Sequence, residues 1–216
     1  MEKGQLITLL MEKRELAFYT TLVQEDPAVL PLLFDLLERE KSAVKYLCEK
    51  TVRQLSIQSP ALLYPYFDRM AALLDSPNNF IKWGFILSVV NMLPVDCEDK
   101  WKGIECKYLS FYSAREIPAF GNAVKSLPKL LNVHPELEGQ IVPGLLYIDG
   151  HVFYHKGQPS QECLNVAKEH IIECFLEIYG SSAYQKEMLG FARDNLENPR
   201  AGVRSRAKRF LKAYEL

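Results

Sequence analysis

The amino-acid sequence predicts an all-α fold made of stacked helix pairs, and two observations carry this prediction. A short pattern of leucine, acid, turn, β-branched residue and base occurs at 74–82 and 196–204, with a fainter copy at 37–45. These copies begin 37 and 122 residues apart, close to one and three periods of about 40, a spacing typical of paired-helix repeats. Elsewhere, apolar residues recur every three or four positions, as in helices with one buried face.

The segment 74–93 shows the repeating unit most clearly. One helix is expected to end ahead of the Asp-Ser-Pro-Asn-Asn turn, and a second is expected over 80–93. No charged residue follows Lys82 in this second helix, so we expect the helix to be buried on several sides. Replacement of Leu87 by alanine is then expected to cost ~2–5 kcal/mol, as for a buried leucine.

The remaining helices follow from start signals and apolar stripes. The stretch 5–24 is expected to be a single amphipathic cap helix. Asp96 and Asp99 approximate a capping box, and Pro128 is expected to kink or end its helix. The other predicted helices cover 28–38, 43–57, 61–74, 96–112, a segment starting at Ile117, 136–148, 161–179, 183–196 and 200–213.

The helical pattern breaks between 148 and 161. The Asp149-Gly150 turn lies between β-favouring residues, which fits either a β-hairpin or a long inter-helix loop. In an otherwise helical chain we expect the loop. With its glycines and proline, the stretch 150–160 is expected to be the most mobile part of the fold.

The recurring pattern, together with prolines inside first helices at Pro31, Pro65 and Pro143, resembles the HEAT-repeat family. The resemblance covers the whole chain. It implies a right-handed α-solenoid of about five helix pairs plus an N-terminal cap helix, with second helices lining a concave face. Together with the chain length, it leads us to expect a single domain over 1–216.

Composition bounds the function classes. The chain has 216 residues, 48% hydrophobic and 25% charged, with a formal net charge of −1. These values exclude a disordered chain and give no bulk attraction to nucleic acid. Five scattered cysteines without a CxxC pair are expected to be reduced core residues. No uncharged stretch reaches the ~18 residues of a spanning helix, and the N-terminal apolar run is too short for a signal peptide. We therefore expect a soluble, cytoplasmic protein.

No catalytic or phosphate-binding motif is present, so we expect no enzyme activity, no cofactor and no small-molecule substrate. The side chains that could ligate a metal near the loop are Asp149, His151, His155 and Cys163. Their spacing matches no closed zinc pattern, and a solvated loop with one packed histidine is the favoured interpretation, without a metal. His170 and Cys174, four residues apart, are interpreted as core or boundary residues.

Candidate binding residues follow the repeat pattern. Lys45, Lys82 and Arg204 each stand seven residues after an acid, which favours a structural ion-pair ladder over ligand contacts. Tyr46 and Trp83 directly follow two of these bases. They would form an aromatic row facing a ligand, although packing between repeats is favoured.

The C-terminal region is locally basic, with eight lysines and arginines against four acids over 186–216. On a helix that begins near Arg200, Arg204 and Lys208 are four residues apart and share one face. The favoured interpretation is a solvated terminal cap, and a docking patch for an acidic protein or a phosphate backbone stays open.

These observations favour a non-enzymatic interaction or scaffold module that binds a protein partner on its concave face. The alternative is a nucleic-acid-binding protein, because the chain is similar in length and repeat style to the HEAT-like DNA glycosylases that remove alkylated purines. The chain departs from that family in lacking an adjacent tryptophan pair followed by aspartate, since Trp83 and Trp101 are 18 residues apart. No membrane contact is expected. The candidate binding residues are Lys45, Lys82, Trp83, Arg200, Arg204 and Lys208.

Overall fold

The computed structural model describes residues 2–39 and 43–214, and this part of the chain is helical apart from one short hairpin. The chain forms two compact units, Met1–Ile104 and Glu105–Leu216, called unit 1 and unit 2. The expected single domain over 1–216 stays a prediction.

In unit 1 the longest helix, α4, contacts α2, α3 and α7, and its residues Cys48, Val52 and Leu55 are fully buried. The helices are α1 (Lys3–Met11), α2 (Leu16–Glu25), α3 (Leu30–Arg39), α4 (Val44–Gln58), α5 (Pro60–Leu63), α6 (Phe67–Ala72) and α7 (Asn79–Val89). Turns of 3-10 helix cover Pro27–Val29, Tyr64–Tyr66, Leu73–Asp75, Val90–Val95 and Lys100–Gly103.

In unit 2 the central helix, α11, contacts both α9 and α13, and α12 contacts α13. The helices are α8 (Glu105–Leu109), α9 (Ile117–Val133), α10 (Glu138–Leu146), α11 (Gln161–Ile178), α12 (Gln185–Asp194) and α13 (Ala201–Tyr214), and the strands are β1 (Tyr154–His155) and β2 (Gln158–Pro159). Turns of 3-10 helix cover Ser110–Ser113, Pro135–Leu137, Ile148–Gly150 and Tyr179–Ser181.

The prediction of a single cap helix over 5–24 is wrong, because this stretch forms two helices, α1 and α2. The charged run 12–15 has no apolar residue to continue the buried stripe, and Lys13 takes a left-handed φ of 50°. The Tyr19 hydroxyl forms hydrogen bonds with the backbone groups that this break leaves without helix partners. It donates to the Leu9 carbonyl at 3.1 Å and accepts from the Arg14 N–H at 2.9 Å.

Prolines divide some predicted helices and not others. The predicted helix over 61–74 is split into α5 and α6 by a 3-10 turn containing Pro65, and α7 gives way to a 3-10 turn containing Pro94. By contrast, α9 continues through Pro128 to Val133, so Pro128 does not end its helix. The extensive contact of α9 with α11 holds it in place despite the missing hydrogen bond.

The predicted helix over 96–112 is also divided, although its start signal is correct. The Asp96 carboxylate accepts the N–H groups of Lys100 at 2.9 Å and Trp101 at 2.8 Å, as a cap does. Asp99 does not complete a capping box, because its backbone is left-handed with φ 56°. Only a 3-10 turn forms there, followed by α8 and a second 3-10 turn.

The expected long loop contains a β-hairpin, so the loop prediction is wrong. In the two antiparallel strands, Tyr154 pairs with Pro159 and His155 with Gln158. The turn residues Lys156 and Gly157 both have positive φ, 50° and 78°, as a type I′ hairpin requires.

The Asp149-Gly150 turn that suggested a hairpin lies instead in the 3-10 turn before it. Next to the hairpin, Phe153 is buried, and its carbonyl accepts the N–H of Ser160 at 2.9 Å. The expected mobility of 150–160 stays a prediction.

The five cysteines are free thiols, but they are not all in the core. Cys48 and Cys174 are buried, as expected. Cys163 is half-buried, and Cys97 and Cys106 are exposed. Cys106 lies on the short helix α8, which forms where the longer helix over 96–112 was predicted.

No helix in the described ranges is both long and apolar enough to cross a membrane.

Candidate functional site

A cluster of three aromatic rings, two of them exposed and one half-buried, lies at the starts of α4 and α7 in unit 1. Phe80 has 67% of its surface exposed and Tyr46 has 36%. The centroid of the Phe80 ring is 5.9 Å from that of Tyr46 and 5.3 Å from that of Trp83, with both pairs edge-on. We call Tyr46, Phe80 and Trp83 the aromatic cluster.

Helical spacing explains why α7 presents these rings. Phe80, Trp83 and Leu87 lie three and four residues apart and share one face of the helix, and none of them is buried. The helix is buried on several sides, as predicted, but not on this face, and Leu87, which was expected to be buried, is half-buried. The buried positions of α7 are Ile81, Gly84, Phe85, Ile86, Ser88 and Val89.

The turn before α7 fixes the aromatic cluster in place. The Asn78 side-chain oxygen accepts the Ile81 N–H at 3.3 Å, which caps the helix. The same side chain donates from its nitrogen to the Tyr46 hydroxyl at 3.2 Å. One turn residue thus starts α7 and holds the ring contributed by α4.

Cations lie beside the aromatic cluster and further along α4. The Lys45 ammonium lies 5.5 Å from the centroid of the Tyr46 ring, within cation–π range. Tyr46, Lys50, Arg53 and Ile57 recur at helical spacing along one strip of α4, and Lys50 and Ile57 are exposed. We call this strip, together with the exposed face of α7, the α4–α7 face.

The acid on α4 is buried rather than presented to solvent. Glu49 packs against the helix backbone at Gly84, where an added Cβ would lie only 1.9 Å from Glu49 Oε1. Burial raises the pKa of Glu49, and its ion pair with Arg53 at 2.8 Å partly offsets that effect. Among the described residues, neither Lys45 nor Lys50 has an acid within ion-pair distance.

The predicted ion-pair ladder between acids and bases seven residues apart is not formed. Glu38 accepts from Arg69 of α6 at 2.8 Å instead of pairing with Lys45. Lys82 has no ion pair in the described ranges. Lys82 also lies outside the face of α7 that carries Phe80 and Trp83, because residues two apart, such as Phe80 and Lys82, do not share a face of a helix.

The basic C-terminal helix meets acids from α11. Arg200 pairs with Glu162 and Glu169, Arg206 with Glu169 and Glu173, and Arg209 with Glu173. We call these six residues the Glu–Arg ladder. The hydrogen bond from Arg209, assisted by Arg206, lowers the pKa of Glu173. Three acids thus balance three arginines, and the local cationic excess over 186–216 is largely neutralised.

The other two C-terminal candidates have different surroundings. Arg204 donates to the carbonyl oxygens of Asn198 at 2.7 Å and Pro199 at 2.9 Å, so it braces the turn before α13. Lys208 is exposed on α13. The predicted face of Arg200, Arg204 and Lys208 is therefore not one uniform patch.

The residues considered as metal ligands are engaged elsewhere. Asp149 pairs with Lys168 at 2.6 Å, and His151 Nε2 lies 3.2 Å from the Ala114 carbonyl oxygen. His155 lies in β1 and is exposed. No group of three or more histidines, cysteines and acids with metal-binding geometry occurs in the described part of the chain.

His170 and Cys174 of α11 also lie apart from any ligand set. The His170 ring fits against Gly121, where an added Cβ would lie 2.9 Å from it, and burial lowers its pKa. Cys174 is fully buried, and burial raises the pKa of its thiol. Both are packing residues, as the sequence suggests.

Comparison with known proteins gives the fold. No family model and no curated protein sequence matches the chain. A designed armadillo repeat protein of known structure is 16% identical, with a TM-score of 0.54, over 99% of this chain and 100% of that chain. The chain has a helical-repeat fold. The predicted class, an all-α solenoid of paired helices, is confirmed, and assignment of the repeats to the HEAT type stays a prediction.

Sequence reasoning named Tyr46, Trp83 and Lys45 but missed Phe80, the central ring of the cluster. The usable signal was helical spacing, because Phe80 stands three residues before Trp83 and so shares its face of α7. Lys50 and Ile57 were missed because the α4 strip becomes visible only once its exposed side is known.

Proposed function

We propose that this protein is a non-enzymatic interaction module of the helical-repeat type that binds a protein partner through the α4–α7 face. The observation that carries the proposal is the aromatic cluster, with Phe80 at 67% exposure in the middle of it. Large aromatic side chains are costly to leave in water, and contiguous exposed apolar patches mark interaction sites.

The Glu–Arg ladder is a poorer binding surface. Its arginines already donate to carboxylates, so a partner would have to displace those hydrogen bonds before gaining its own. Arg200, as part of the ladder, and Arg204, which braces the turn before α13, therefore have structural roles in this proposal. Lys45 and Trp83 belong to the binding surface.

A second candidate is a nucleic-acid-binding protein, and one observation favours it. Aromatic rings beside lysines without acid partners are also the composition of single-strand binding sites. The rings of the aromatic cluster pack edge-on to one another, however, whereas a base needs a free ring face. Trp101 is buried, which removes the second tryptophan that an alkylation-repair glycosylase would use. We rank protein binding first.

Three finer assignments belong to the same proposal. The repeat pattern and the prolines in first helices support HEAT-type repeats. The recurrence of α4 and α7 as second helices supports a concave position for their shared face. Reduced, unbonded cysteines support a cytoplasmic location.

Affinity capture from the protein's own cells tests the proposal. Wild type is compared with Phe80→Ala and with Tyr147→Ala, a matched control that removes an 82% exposed aromatic from unit 2. We expect a set of proteins captured by wild type and by Tyr147→Ala but lost with Phe80→Ala. Capture unaffected by Phe80→Ala would contradict the proposal, and dependence on nuclease-sensitive material would favour the second candidate.

A further inference from the structure

We propose that the α4–α7 face binds a short acidic segment of a partner protein that carries an apolar side chain at each end. This inference rests on the proposed function and deepens it, because it names the chemistry of the partner. Three properties of the face lead to it: its apolar ends, its charge and its length.

The two ends of the α4 strip are apolar and exposed. The aromatic cluster lies at one end, and Ile57, with 57% of its surface exposed, lies at the other. Tyr46 and Ile57 are eleven residues apart, which is about 16 Å along a helix. An extended chain rises about 3.3 Å per residue, so two anchors about five residues apart would reach both ends.

The middle of the strip is cationic, because Lys50 and Arg53 lie between Tyr46 and Ile57 and Lys50 is exposed. Lys45 adds a further cation at the aromatic end, beside the Tyr46 ring. Neither lysine forms an ion pair with an acid among the residues that the structure describes, although Lys50 is close enough to the buried Glu49 for their charges to interact. Arg53 is half-exposed and its partner Glu49 is buried, so that acid presents little negative surface to a ligand. Charge complementarity therefore calls for acidic residues between the two anchors.

This arrangement favours a peptide over a nucleic acid. A polynucleotide would place phosphates at regular intervals and needs ring faces for its bases along the whole length. Among the described residues of the α4 strip, the ring lies at one end and the other end is the aliphatic side chain of Ile57. An acidic peptide with separated apolar anchors matches both features.

Fluorescence anisotropy with defined probes tests the inference. The main probe is a fluorescein-labelled peptide containing tryptophan, four glutamates and leucine in that order. One control peptide has lysines in place of the glutamates, a second has glycines in place of both apolar residues, and a third probe is single-stranded oligo-dT.

We expect saturable binding of the main probe to wild type and weaker binding of all three controls. Phe80→Ala and Lys50→Glu are each expected to lower its affinity at least about tenfold, the loss typical of a central contact. Lys186→Glu reverses an exposed lysine of unit 2 and is expected to leave the affinity unchanged.

Equal binding of the peptide without apolar residues, or tighter binding of oligo-dT, would overturn the inference. So would equal binding by Phe80→Ala. If no peptide binds while cellular capture still depends on Phe80, the acidic segment is wrong and the proposed function stands. If cellular capture does not depend on Phe80, the proposed function itself is contradicted.

Discussion

The α4–α7 face of unit 1 and the α11–α13 face of unit 2, where the Glu–Arg ladder lies, have similar helix packing but different surface charge. In both, a glutamate of one helix lies over a glycine of the next: Glu49 over Gly84, and Glu169 over Gly202. In the Glu–Arg ladder, three glutamates of α11 pair with three arginines that lie on α13 or directly before it. On α4 the acid is buried and lysines remain without acid partners among the described residues, beside exposed rings. The α4–α7 face therefore has exposed rings and lysines that form no ion pair among the described residues. This is the face expected to bind a partner.

The largest expected effect separates the two sides of α7. Phe85 is fully buried, so Phe85→Ala is expected to cost about 3–5 kcal/mol of unfolding free energy. Phe80, five residues earlier on the exposed face, is expected to cost less than about 0.5 kcal/mol when replaced by alanine. Chemical denaturation measures both. Similar losses in the two variants would show that Phe80 is packed, and the aromatic cluster would no longer be a free surface.

The glycine contacts give the next largest effect. Gly84→Ala forces Glu49 out of a buried position and is expected to cost about 1–3 kcal/mol, the range for overpacking. Gly202→Ala meets only the end of the Glu169 side chain, which is less buried and can move, so a smaller cost is expected.

Gly190→Ala in α12 is the control, because a Cβ there meets nothing within 4 Å. It is expected to stabilise the helix by up to about 1 kcal/mol. Thermal or denaturant unfolding of the three variants measures the order of their unfolding free energies. An equal cost for Gly84→Ala and Gly202→Ala would show that burial of Glu49 is not special to unit 1.

The two faces are expected to respond to pH with opposite sign. Glu49 has a raised pKa, so between about pH 4.3, the unfolded glutamate value, and its folded pKa the folded state holds more protons. Its contribution to stability is therefore lost as pH rises through that window. Glu173 has a lowered pKa, so its contribution is present above about pH 4.3 and is lost as pH falls through its folded pKa.

Denaturant midpoints between pH 3 and pH 7 test this contrast, with each wild-type curve compared with Glu49→Gln or Glu173→Gln. Relative to Glu49→Gln, wild type is expected to lose stability as pH rises above about 4.3. Relative to Glu173→Gln, it is expected to lose stability as pH falls below about 4.3. The same direction for both variants would contradict the assignment of Glu49 as a buried, destabilised carboxylate.

The smallest expected stability effect concerns the surface lysines. Lys50→Glu and Lys186→Glu both change exposed side chains, so each is expected to shift unfolding free energy by less than about 0.5 kcal/mol. The two variants separate stability from binding, because only Lys50→Glu is expected to impair binding. A large stability loss in Lys50→Glu would reveal a structural role for that lysine.

Local signals in the sequence predicted much of the fold. Asp26 caps the turn before α3 by accepting the Ala28 N–H at 3.3 Å, and Asn78 starts α7, both close to the expected positions. These features depend on neighbours a few residues away, which a sequence displays directly. The break at Lys13 and the hairpin turn at Lys156 needed left-handed backbone at lysine, which composition does not signal.

The candidate site was harder to predict, because exposure depends on which helices are neighbours. The lack of charge after Lys82 suggested that α7 is buried on several sides, yet Phe80 is exposed and Leu87 is only half-buried. The Glu–Arg ladder joins residues 31 to 38 positions apart, as between Arg200 and its partners Glu169 and Glu162. Charge counting within 186–216 could not include those acids.

The most direct test of the α4–α7 face uses the two tryptophans of the chain, Trp83 in the aromatic cluster and Trp101 in the core. Their indole N–H signals are followed by two-dimensional NMR while a partner recovered by capture is added. We expect the Trp83 signal and backbone amides near Tyr46 and Phe80 to shift, with Trp101 and the α11–α13 amides unchanged. Shifts centred on α13 with an unchanged Trp83 signal would contradict this assignment.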